Sequence, residues 1–80
     1  MSTRSPLLRL RLALLRAIVD RIEPHGWTTE ETAQRLGIAR PRVVDLLAGR
    51  AERFRLDALV TLALRAGLNV RIRATRPYRR

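Results

Sequence analysis

The sequence has no cysteine and no lysine, and only one residue each of tryptophan, tyrosine, phenylalanine and methionine among 80. Without cysteine, neither a disulfide framework nor a thiolate metal site can staple the fold. A chain of this length buries only about 60% of its unfolded surface, so it reads as one marginal domain, with a second copy as the ready source of further buried area. No apolar run reaches the roughly 18 residues that span a bilayer. The stretch Leu7–Leu15 is broken by Arg9 and Arg11, and no small-residue cleavage site follows it, so it is not read as a signal peptide and the cytoplasm is the expected location. There is no glycine-rich phosphate loop. The acids are scattered, Ser2 and Ser5 lie in the first five residues, and His25 has no partner at metal-ligand spacing. These absences point to a binding protein and not an enzyme, with no cofactor and no metal.

What the chain has in excess is arginine: 17 basic residues, all arginine, against seven acids, for a net charge of +10. Codon bias explains the missing lysine as readily as selection does, although arginine is also the better donor to phosphate and guanine. The placement of charge says more. All seven acids lie between Asp20 and Asp57; residues 1–19 carry Arg4, Arg9, Arg11 and Arg16, and residues 58–80 carry Arg65, Arg71, Arg73, Arg76, Arg79 and Arg80. Such a field attracts a polyanion. Double-stranded DNA in the nucleoid is the expected partner, and an anionic membrane surface is its competitor.

Periodicity divides the chain. Residues 1–5 form a short tail. Pro6 suits the first position of a helix capped by Ser5, and Leu8, Leu12, Leu15, Val19 and Ile22 then step by four and three along one face, widened by Leu7, Leu14 and Ile18. Leu8–Leu12 also alternates with arginine, a strand period, but the helical period persists for four turns. Pro24 ends this helix near Ile22. Thr28, with Glu31 three residues on, forms a capping box for a second helix running to Leu36, with Ala33 and Leu36 inward, Gly37 as its stop and Ile38 plugging the core. A third helix starts at Pro41 with Arg40 as cap, buries Val43, Leu46 and Leu47, and ends at Gly49. Phe54 tucks under the charged loop 50–55. A fourth helix, Leu56 to Ala66, aligns Leu56, Leu59, Val60, Ala63 and Ala66. Beyond Gly67 the period changes: Leu68, Val70, Ile72 and Ala74 alternate with Asn69, Arg71, Arg73 and Thr75, a half-buried strand. A lone strand needs a partner edge, and a second copy pairing about a two-fold axis supplies one, with Leu8–Leu12 as the alternative. The expected fold is mainly α, a four-helix domain over residues 6–74 whose C-terminal β-strand, 68–74, pairs across a homodimer through Leu68, Val70 and Ile72. Residues 75–80 are a basic tail.

Two short helices joined at Gly37, the second opening Arg-Pro-Arg, have the form of a helix-turn-helix. The run L-G-I-x-x-P-R-V-x-D-L-x-x-G from Leu36 to Gly49, with Ala33 before it and Phe54, Leu56-Asp57-x-Leu59 and Gly-Leu-Asn-Val-Arg-Ile after it, resembles the Cro/repressor (XRE) regulators, in particular the HigA-like antitoxin branch. The resemblance implies a lambda-repressor-like fold, a homodimer on a palindromic operator with each third helix in a major groove, and, for members of toxin–antitoxin operons, a toxin protein as a further partner. In that light the chain is expected to be a repressor, with toxin neutralisation as the main role in the alternative. Five positions depart from the usual pattern. Thr29 stands where the family has glutamine, Ala39-Arg40 where it has Ser-Gln, Val44 where it has serine, and Arg55 where it has a serine cap. The operator is then expected to be an unfamiliar one.

Side chains at the start of such a helix reach base edges. The candidates are Arg40, as a bidentate donor to guanine, Pro41, Val44 against a thymine methyl, and Asp45, which either accepts from cytosine N4 or pairs with a neighbouring arginine on its own helix and orients it. Thr28, Thr29, Arg42, Arg50 and Arg53 are the phosphate candidates. Trp27 is expected in the core. A dimer neutralising about eight phosphates should show a slope near −7 when log affinity is plotted against log salt. Duplex binding titrated between 50 and 200 mM salt checks this, and a flat line would remove the electrostatic reading.

Overall fold

The computed structural model describes residues 6–71. Four α-helices are found among them: α1 (Pro6–Ile22), α2 (Thr29–Leu36), α3 (Arg40–Leu47) and α4 (Leu56–Arg65), with single 3₁₀ turns at Glu23–His25 and Ala51–Arg53. Leu8–Leu12 is therefore helical. Helical winding brings Leu15, Ile18 and Ile22 onto one fully buried face, with Leu8, Leu12, Leu14 and Val19 packed around it. A strand through the same residues would bury only alternate leucines of a five-residue segment.

α1 lies along α4 and against the 51–53 turn, while α2 packs on α3. Leu36, Leu46, Phe54, Leu59, Leu62 and Ala63 close the core from the other elements. Phe54 is the largest fully buried side chain. Its place beneath the 51–53 turn explains how a charged loop becomes an ordered connection.

Local chemistry sets the helix ends. Pro24 stops α1, and the chain turns through a left-handed Gly26. At α2 the capping box forms in full: the Thr28 N–H donates to Glu31 Oε1 at 2.9 Å, and the Glu31 N–H donates to Thr28 Oγ1 at 3.0 Å. α2 ends at Gly37, with φ 70° and ψ 35°, where the N–H groups of Gly37 and Ile38 both return to the Ala33 carbonyl. Three residues then carry the chain into α3. The Arg65 guanidinium, from the last turn of α4, donates to the Leu36 carbonyl at 2.8 Å across this turn. It satisfies a carbonyl at the negative end of α2.

Several details differ from the sequence reading. Ala39, with φ −74° and ψ 153°, is the cap of α3, and Arg40 and Pro41 are its first two residues. Proline is tolerated there because first-turn N–H groups have no intrahelical partner. Leu47 is 47% exposed, since α3 is anchored through Val43 and Leu46, and Leu47 falls on its flank. Leu62 joins Leu59 and Ala63 as the buried face of α4, leaving Leu56, Val60 and Ala66 half-buried. That face turns so that α4 meets both α1 and α2.

After α4 the expected alternation of exposure is present over the described residues: Leu68 and Val70 are half-buried against the core, and Asn69 and Arg71 are exposed. Residues 68–71 nevertheless form no strand. A single chain with Leu8–Leu12 helical offers them no edge to pair with. The remainder of the expected strand, Ile72–Ala74, and the expected tails 1–5 and 75–80 lie outside the described residues. Among the described residues no helix is long and apolar enough to cross a membrane.

A Cβ at Gly37 would lie 2.7 Å from Arg65 Nη1, whereas one at Gly26 would meet nothing within 4 Å. Gly26→Ala should therefore lose only the left-handed penalty, about 1 kcal/mol. Gly37→Ala should lose about 3 kcal/mol, because the arginine bond goes as well. Urea unfolding of the two variants checks this, and equal losses would mean that Arg65 contributes nothing to the turn.

Candidate nucleic-acid interface

The three-residue turn that begins at Gly37 brings the start of α3 beside the start of α2. Thr29, the first residue of α2, and Arg40, Pro41, Val44, Asp45 and Arg53 line one open cleft of about 680 Å³. All four expected base-reading positions thus gather in one place, together with two of the expected phosphate positions. The positive end of α2 also borders this cleft.

The side chains in and around the cleft differ in how committed they are. Arg40 and Pro41 are exposed, and Val44 is 52% exposed, so this stretch of α3 presents an apolar patch next to a cation. No hydrogen bond or ion pair engages the Arg40 side chain among the described residues. Thr28, by contrast, has its hydroxyl occupied by the capping box and does not line the cleft.

Arg42 is held by its own fold. Its guanidinium lies 4.1 Å above the Phe54 ring centre and donates to the Arg53 carbonyl at 2.9 Å. It does not line the cleft, although sequence placed it among the phosphate contacts. The core aromatic beneath it gives the reason: a cation over a buried ring gains more than one in water.

Asp45 sits at the centre of a charge cluster. Its side chain is 13% exposed, with Arg50 Nη1 at 2.9 Å and Arg53 Nη1 at 3.4 Å from the same oxygen, Oδ1, and Arg42 Nη1 at 4.0 Å from Oδ2. The two nearest partners follow α3 instead of lying on it. Gly49, at φ 78°, reverses the chain so that the Arg50 N–H returns to the Asp45 carbonyl at 3.1 Å. Backbone and side chain of Arg50 are both tied to Asp45.

Other arginines that the sequence leaves unassigned also bond the main chain. Arg11 donates to the Phe54 carbonyl at 3.1 Å and Arg21 to the Ala66 carbonyl at 3.2 Å. With Arg42 and Arg65, four guanidiniums satisfy backbone carbonyls. Arg21 and Arg65 occupy the last turns of their helices, and each reaches a carbonyl beyond its own helix. Trp27 packs against the core as expected, with the His25 ring stacked at 4.4 Å and Arg35 4.7 Å from the tryptophan ring centre. His25 thus has an aromatic neighbour that its sequence position does not reveal. Leu68 and Val70, expected at the dimer interface, lie against the chain's own core, away from the cleft.

A family model described as a helix-turn-helix domain matches residues 1–75. No curated protein and no solved structure matches the chain.

The contrast between neighbouring arginines predicts a contrast in stability. Arg42→Ala should cost about 1–2 kcal/mol through loss of the ring contact and the carbonyl bond. Arg40→Ala should remain within about 0.5 kcal/mol of the parent. Thermal unfolding of both variants decides it; a silent Arg42→Ala would show that the Phe54 contact is ornamental.

Proposed function

The chain belongs to the helix-turn-helix domain family, and from that premise we propose that it is a sequence-specific DNA-binding transcriptional repressor acting as a homodimer on a palindromic operator. The observation that carries this reading is the cleft itself. Arg40, Pro41 and Val44 are collected at the exposed start of α3, with the positive end of α2 beside them. In this reading α3 enters the major groove. Arg40 donates to guanine O6 and N7, Val44 meets a thymine methyl, and Thr29 with Arg50 and Arg53 holds the backbone.

The dimer is supported by the alternation of burial after α4. Because Leu68 and Val70 are seated on the core, the backbone edge of residues 68–71 is what remains for a second copy. Pairing of those edges, continued through Ile72, would hold two recognition helices about 34 Å apart, over half-sites about ten base pairs apart centre to centre.

Selection of binding sites from a random duplex pool should return a two-fold symmetric site with that spacing. Light scattering should report twice the 9.2 kDa chain mass. Arg40→Ala should then narrow the gap between selected and scrambled duplex by about 1–3 kcal/mol. An equal loss on both duplexes would reduce Arg40 to a backbone contact, and a 9 kDa particle at micromolar concentration would remove the intermolecular strand.

A further inference from the structure

We propose that Asp45 is a positioning residue that locks Arg50 and Arg53 into a two-arginine clamp for one DNA backbone phosphate, and that it reads no base itself. The proposal rests on the DNA-binding reading above and deepens it.

One carboxylate oxygen receives both guanidiniums, at 2.9 and 3.4 Å, while the side chain that carries it is largely covered. Two like charges would separate if left to themselves; a shared anion holds them together. The trio keeps a net charge of +1, so the cluster still attracts a phosphate. Arg50 and Arg53 remain 46% and 57% exposed, and each has five N–H donors, most of them not used by Asp45. Two planar forks gathered at one carboxylate oxygen suit the tetrahedral oxygens of a phosphodiester. Arg53 also lines the cleft with Arg40 and Val44, which puts the clamp at the margin of the face expected to meet bases.

The same geometry argues against base reading by Asp45. Both hydrogen bonds fall on Oδ1, Arg42 stands 4.0 Å from Oδ2, and the side chain is only 13% exposed, so the carboxylate is turned to its own arginines and offers little of itself to a cytosine amino group. An unpaired acid at this place would repel the DNA backbone, and pairing removes that repulsion. The backbone adds a further constraint. The Arg50 N–H bonds to the Asp45 carbonyl through the Gly49 reversal, so one end of the clamp is fixed in main chain as well as side chain. A phosphate contact built this way fixes the register in which α3 lies over the bases. Asp45 thereby acts on specificity through two other residues.

The test uses the full chain, the duplex returned by site selection and a scrambled duplex of the same length. Asp45→Asn should reduce the ratio of the two affinities about tenfold with little change in melting midpoint. Arg50→Lys with Arg53→Lys keeps both charges and removes both forks. It should lose the same discrimination while leaving the salt slope unchanged. Adding Asp45→Asn to that pair should produce no further loss, a non-additivity that a purely structural role would not give. If Asp45→Asn tightens both duplexes by one common factor, Asp45 only subtracts charge and the proposal falls. It also falls if repeated selection with Asp45→Asn changes the preferred base at a single position, because Asp45 would then be a reader. Should Asp45→Asn unfold at the assay temperature, the lysine pair decides alone, and unchanged discrimination overturns the clamp. A parent chain that binds neither duplex overturns the DNA reading and the clamp together, which separates that failure from the others.

Discussion

The placement of everything in the cleft depends on the closure of one turn. α2 must stop and α3 must start within three residues, and only a left-handed residue at 37 allows the stop. Closing the turn leaves carbonyls at the end of α2 without helical partners, and Arg65 from α4 satisfies the one on Leu36. The space it occupies is the space a side chain at 37 would need. Glycine and arginine are therefore two halves of one constraint. They fix the angle at which Thr29 and Arg40 come to share a cleft.

Net charge overstates what is available to a polyanion. Arg11, Arg21, Arg42 and Arg65 are each bonded to a backbone carbonyl, and Arg35 lies over Trp27. Arg50 and Arg53 are held by Asp45 but remain open to solvent. Arg40 alone in the cleft has no such engagement among the described residues. A chain without lysine has given part of its arginine to the work of helix ends and turns, where a delocalised fork can reach a carbonyl while its stem covers apolar surface.

Much of the fold was legible because its determinants are local. Pro24, the Thr28–Glu31 pair and Gly37 act within a few residues of themselves, and each element boundary they mark was found close to its expected position. The core face of α1 followed in part from winding: Leu15 and Ile22 are buried as expected, but Ile18, expected only to widen the face, is its fully buried centre, and Leu7 is exposed. The cleft was legible for the same reason: Arg40, Pro41 and Val44 face outward on any helix that buries Val43 and Leu46. What could not be read are the reaches between elements. Arg42 over Phe54 depends on where the 51–53 turn comes to rest, and Arg65 on Leu36 depends on the packing of α4 beside α2. Leu47 was misplaced because a three-residue apolar face on a two-turn helix does not reveal which flank its neighbours cover. The pairing of Asp45 was anticipated in kind but not in partner, since Arg50 reaches it only after the reversal at Gly49.

The arginines bonded to the main chain form a chain of custody through the helices. Arg21, at the end of α1, bonds the carbonyl that follows α4; Arg65, at the end of α4, bonds the carbonyl that ends α2; and α2 is joined to α3 by the turn so held. The ends of α2 and α4 are each finished by a residue from another helix, so neither is complete by itself. A domain wired in this order has few ways to fray. Loosening the first helix, two elements away from the cleft, relaxes the frame that aims the third. Stability and recognition are then properties of the same set of bonds, and selection on either would act on both.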